Sequence, residues 1–170
     1  MNDRAQLHTL EGLAAAVLMT LTMLTIVQST MIVTPQNELS MTVQLEQVSS
    51  DALAVLDMAP DTAIEYNLTE CIAGWDMKES NVTGNNLDTL DGELSYLLSG
   101  TQYNVDLSYF KNGVLSKKQV IINGAPTEDA VVVRRLVALT NSDVVSSGGS
   151  WNIANDEVLI VEVKLTAWRI

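Results

Sequence analysis

The sequence predicts an α+β protein, with a long N-terminal hydrophobic helix followed by a globular domain built on a roughly four-stranded antiparallel sheet. Three observations predict it. An almost entirely apolar run occupies Gly12 to Val33, an amphipathic helical period follows between Pro35 and Pro60, and apolar residues alternate with polar ones from Tyr103 onward.

The first element is the run LEGLAAAVLMTLTMLTIVQSTMIV, Leu10 to Val33, with no charged residue between Glu11 and Glu38. Gly12 to Val33 as one helix would span about 33 Å, the length needed to cross a bilayer core. A helix apolar on all sides at the end of a 170-residue chain is expected to enter a membrane or to pack against copies of itself.

Pro35, preceded by Thr34 as a cap, is placed to start a second helix. Met41, Leu45, Val48, Ala52 and Val55 then recur at spacings of four and three, and Pro60 ends the pattern. The alternation of Leu39, Met41, Val43 and Leu45 offers a short strand as the competing reading of its first half. Thr69 to Trp75 reads as a short helix, followed by a polar loop through Asn86. Leu87, Leu90, Leu94, Leu97 and Leu98 carry a further helical period that Gly100 closes.

Beyond Gly100 the period changes to two. Tyr103, Val105, Leu107 and Tyr109 alternate with polar residues, and Lys111-Asn112-Gly113 supplies a hairpin turn into Val114 to Ile122. Ala130 to Leu139 and Glu157 to Ile170 are two more strands, separated by a Ser/Gly-rich loop from Asn141 to Ser150. Four strands in series suggest an antiparallel meander with one face against helix. In the last of them Val161, Val163, Leu165 and Ala167 face the core.

Composition excludes several function classes. Nine Lys and Arg against 21 Asp and Glu give a net charge of −12, so no nucleic-acid partner is expected. One histidine, His8, and one cysteine, Cys71, leave no disulfide, no Ser-His-Asp or Cys-His set and no metal centre. No phosphate loop or dinucleotide fingerprint is present, so no cofactor and no enzyme activity are expected. Asp88, Asp91 and Glu93 lack calcium-loop spacing and read as the acidic start of a helix. Trp75, Trp151 and Trp168 read as core or interface residues, and Arg134-Arg135 as alternate-face partners for acids. Asn67-Leu68-Thr69 and Asn81-Val82-Thr83 are acceptor sequons, making Asn67 and Asn81 candidate glycosylation positions.

No small-residue cleavage motif follows Val33, so an ordinary secretory signal does not fit. The segment Asp3-Arg4-Ala5-Gln6-Leu7-His8-Thr9-Leu10-Glu11 instead resembles the processed N-terminus of archaeal type IV pilins. Thr34-Pro35, Tyr103-Asn104-Val105, Gly124-Ala125-Pro126 and Leu165-Thr166-Ala167-Trp168-Arg169 extend the resemblance, in order, along the chain to a pilin-like family common in haloarchaea.

The resemblance implies a leader, residues 1–5, removed by a prepilin peptidase at Arg4, Ala5, Gln6 and Leu7. A cut after Ala5 makes Glu11 the sixth mature residue; a cut after Gln6 makes it the fifth, the usual place for the family's glutamate. That glutamate would pair with a neighbour's new α-amine during assembly. The alternative role for Glu11 is to cap a plain anchor helix. Residues 6–34 would form the stalk of the filament core, with Leu13, Val17, Leu18, Leu21, Leu24, Ile26 and Val27 among its packing residues. Residues 35–59 would be the amphipathic continuation and 60–170 the extracellular β-rich domain.

The expected function is that of a major or minor structural subunit of a surface filament or secretion apparatus. Its partners would be other copies or related pilins, the prepilin peptidase, the membrane platform of the assembly machinery and membrane lipid before assembly. It would sit in the cell membrane as a precursor and at the cell surface when assembled. The rival is a monomeric membrane-anchored adhesin or receptor.

Overall fold

Alternating apolar residues become strands because each strand turns one side chain in two toward the helices beneath the sheet. A computed structural model describes residues 3–29, 35–58, 66–80, 84–111 and 113–169. In chain order these form α1 (Asp3–Ser29), α2 (Pro35–Met58), α3 (Leu68–Ala73), α4 (Asp88–Leu97), β1 (Gln102–Lys111), β2 (Val114–Ile122), β3 (Val131–Thr140), α5 (Asn141–Ser147) and β4 (Val158–Trp168). The chain divides into two compact units, Met1–Glu38 and Leu39–Ile170.

The membrane-length apolar helix is the main correction to the sequence reading. Among the described residues no helix is long and apolar enough to cross a membrane. The expected helix ran to Val33; α1 is described over Asp3–Ser29, and residues 30–34 lie outside the described ones. Its first turns carry Asp3, Arg4, His8 and Glu11, so the uncharged portion is Gly12–Ser29. The described part of that portion is about 27 Å long at the helical rise, against a hydrocarbon core of ~30 Å. Thr20, Thr22, Thr25 and Gln28 dilute it further. Among the described residues the fold is therefore α+β without the membrane-length apolar stalk that the pilin resemblance implied.

In the Leu39–Ile170 unit the sheet order is β2-β1-β4-β3, antiparallel throughout. A meander would have placed the strands in chain order. Instead two antiparallel pairs, β1 with β2 and β3 with β4, are joined through β1 and β4, and the chain from β2 to β3 crosses one end of the sheet. Asn104 holds that crossing: its Nδ2 donates to the Gly124 carbonyl (2.9 Å) and its Oδ1 accepts the Asn123 N–H (2.8 Å).

One sheet face forms the core. Tyr103, Val105, Leu107 and Tyr109 of β1, Val131, Val133, Val137 and Leu139 of β3, and Leu159 to Ala167 at alternate positions of β4 are all buried. Leu45, Ala52, Leu53 and Leu56 of α2 pack into the same core, as do Leu68 and Ile72 of α3 and Leu90 and Leu94 of α4. Trp75, Trp151 and Trp168 are buried, as read from sequence. Arg134 and Arg135 point to opposite faces. Arg135 reaches Asp57 of α2 through Nε (3.1 Å) and Nη2 (2.5 Å), and Arg134 lies 3.6 Å from Glu162.

The loop expected from Asn141 to Ser150 contains a helix. Thr140 and Asp143 form a reciprocal cap, with the Thr140 N–H donating to Asp143 Oδ2 (2.8 Å) and the Asp143 N–H to Thr140 Oγ1 (3.4 Å). Hydrogen bonds from the Thr140 hydroxyl and then its N–H hold the Asp143 carboxyl below the ordinary aspartate range. Because the folded value is the lower one, this stabilisation is complete above the unfolded aspartate pKa and is lost as pH falls through the folded value. Urea midpoints taken between about pH 6 and about pH 3 should fall less in Asp143→Asn than in the unsubstituted chain. Equal falls would show that this carboxyl contributes nothing to acid lability.

Candidate assembly site

The residues singled out from sequence for assembly lie on α1, in the Met1–Glu38 unit. Straight-chain and small residues at Leu13, Ala14, Ala15, Ala16, Leu18, Met19, Leu21, Met23 and Leu24 favour the helix. All described side chains from Glu11 to Thr25 are exposed. Leu13, Val17, Leu18, Leu21 and Leu24 are between 51 and 65 % exposed, and at 100° per residue they fall on one face about 140° wide; Met19 and Met23, 77 and 69 % exposed, carry apolar surface to the other side. The side chains of Arg4, Ala5, Gln6, Leu7, Ile26 and Val27 lie outside the described ones; the backbone of all six is helical.

Threonine interrupts this apolar surface without leaving its hydroxyls unsatisfied. Thr20 Oγ1 donates to the Ala16 carbonyl at 2.7 Å, Thr22 Oγ1 to Leu18 at 2.9 Å, and Thr25 Oγ1 to Leu21 at 3.1 Å. A hydroxyl bonded back to its own helix can enter an apolar environment without the cost of an unpaired donor. The sequence reading counted these residues within the apolar run without a role of their own; their place inside a helical run was the available signal. Gly12 has open space where a side chain would stand, so with Ala16 it forms a small-residue pair at a spacing of four, which lets another helix approach closely.

Glu11 stands on α1 eight residues after Asp3. It therefore does not cap the start of this helix, as the anchor reading required. It is the last charge before an uncharged stretch that extends to Glu38.

Of the two sequons, Asn81 lies outside the described residues. Asn67 is the N-cap of α3: its Oδ1 accepts the Glu70 N–H at 2.7 Å, and Glu70 Oε2 accepts the Asn67 N–H at 3.0 Å. Leu68 is buried and Thr69 is helical, so this tripeptide is built into a capped helix start. Cys71 is half-buried. Burial, then the charges of Glu70 and Glu93, push its thiol up to about 11, so it remains protonated and poorly nucleophilic at neutral pH. Among the described residues no group of His, Cys, Asp and Glu could hold a metal ion.

Residues 4–165 match a family of unknown function, DUF7288. The chain belongs to this family. The DUF7288 match begins within α1 and ends within β4, so it takes in both units. An uncharacterized protein of Archaeoglobus fulgidus is 29 % identical over 173 residues, covering 99 % of this chain and 94 % of the relative. No solved structure matches significantly.

Proposed function

We propose that this DUF7288 chain is a pilin-like structural subunit, without a catalytic role, that assembles with copies of itself or related subunits into a surface filament or secretion apparatus. The observation that supports this reading is the exposed apolar surface of α1, whose threonines are satisfied internally. Covering one such leucine or valine fully contributes about 1.5–3 kcal/mol, and a helix with apolar residues all round can be covered by several neighbours at once. In this reading α1 works as a contact between copies, and crossing a bilayer is not required of it.

A prepilin peptidase cuts after Ala5 or Gln6, the Glu11 carboxylate pairs with the α-amine of an adjacent copy, and that pair sets the register between subunits. The sequence resemblance at residues 3–11 supports this step. The Leu39–Ile170 unit then faces outward at the cell surface.

Mass spectrometry of native mature protein should find an N-terminus at Gln6 or Leu7. Leu18→Glu combined with Leu21→Glu should reduce the assembly to single subunits in sedimentation while leaving the thermal transition of the sheet-containing unit in place. Glu11→Ala should also abolish ordered assembly. Mature protein that retains residues 1–5 and sediments as a monomer would overturn the proposal in favour of a solitary surface receptor.

A further inference from the structure

Where α3, α4 and α5 meet, the Leu39–Ile170 unit leaves a cavity of about 380 Å³, within the ~300–1,000 Å³ typical of small-molecule sites. Leu87 and Leu90 line it as buried apolar residues, and Tyr66, 45 % exposed, stands in its wall. Glu70, Thr89 and Ser147 complete the polar wall. Glu70 accepts the Asn67 N–H with Oε2. Among the described residues, no hydrogen bond uses its Oε1, the Tyr66 phenol or the hydroxyls of Thr89 and Ser147.

The charge in this wall is of one sign. Glu70 lines the cavity, and among the described residues no Lys, Arg or His does. The fields of Glu70 and Glu93 both reach Cys71, which shares the wall. A neutral or anionic guest would shut the Glu70 carboxylate away from water with no counter-charge, which is costly. A cation would remove that cost and also meet the negative face of an aromatic ring.

We propose that this cavity binds a small organic ammonium ion, with its cationic group between the Glu70 carboxylate and the Tyr66 ring. Thr89 and Ser147 then recognise a hydroxyl substituent of the guest. Cys71 forms no covalent bond with it, because its sulfur is held as the thiol. The proposal is independent of the assembly of α1.

Ethanolamine is a suitable probe, titrated calorimetrically into the full chain, with ethylene glycol as the neutral comparator and glycolate as the anionic one. The expected result is saturable binding of ethanolamine, at least tenfold tighter than either comparator. Glu70→Gln retains an oxygen for the Asn67 N–H, so it should weaken ethanolamine binding at least tenfold with an unchanged Tm. Tyr66→Leu should weaken it as well. Absence of saturable ethanolamine binding, equal binding of ethylene glycol, or full affinity in Glu70→Gln would each overturn the proposal.

Discussion

Gly149→Ala is expected to destabilise the Leu39–Ile170 unit by about 3 kcal/mol or more, read as a lower urea midpoint at unchanged slope. A Cβ at this position would lie 1.8 Å from the Ala73 carbonyl oxygen, 2.8 Å from its carbon and 3.1 Å from Gly74 Cα. All three are backbone atoms at the end of α3, and none can rotate aside. The approach is held from both sides. The Ser150 N–H donates to the Trp75 carbonyl at 3.0 Å, and Trp151 Nε1 donates to the Ile72 carbonyl at 2.7 Å. The Trp75 and Trp151 rings meet edge to face at 5.4 Å. The neighbouring Gly148 is the control. It has a φ of +69° but open space around it, so Gly148→Ala meets only the left-handed backbone penalty, about 1 kcal/mol. Equal costs at the two positions would show that the loop can lift from α3, and would refute the packing argument.

The strands, α2 and α4 were legible because each buries one face, and that burial imposes a period of two or of about 3.6 on the sequence. α5 was not legible. Its seven residues, Asn141–Ser147, bury only Val144, too little to impose a period, and its serines and asparagine resemble loop composition. The Thr140-to-Asp143 spacing was the overlooked signal.

Strand order was hidden for a different reason. Antiparallel neighbours are selected by tertiary packing, which local alternation does not encode. The two adjacent basic pairs nevertheless fall on the edge strands, Lys117-Lys118 on β2 and Arg134-Arg135 on β3, as edge strands often carry them. The apolar surface of α1 was readable from composition alone. The cavity was not readable at all, because Tyr66, Glu70, Thr89 and Ser147 converge only after three short helices pack together.

Removal of Leu165–Ile170 should abolish cooperative unfolding of the sheet-containing unit. From the sequence this segment reads as the end of a last strand, whose loss would cost one ladder. The structure gives it two, since β4 lies between β1 and β3. Leu165 pairs with Val105 on one side and Val133 on the other, and Ala167 pairs with Tyr103 and Val131. Leu165 and Ala167 have no exposed surface, and Trp168 is buried. The cut therefore removes apolar side chains worth several kcal/mol and strips backbone partners from the starts of both β1 and β3. Total stability for a domain of this size is about 5–15 kcal/mol, so the remainder should lack a sharp urea transition. The graded version is Leu165→Ala, which leaves both ladders in place and opens a cavity between them. Its expected cost is about 2–5 kcal/mol, with the transition still cooperative. A truncated chain that unfolds as sharply as the full one would mean that β1 and β3 can close on each other, and that β4 is not the strand on which the sheet depends.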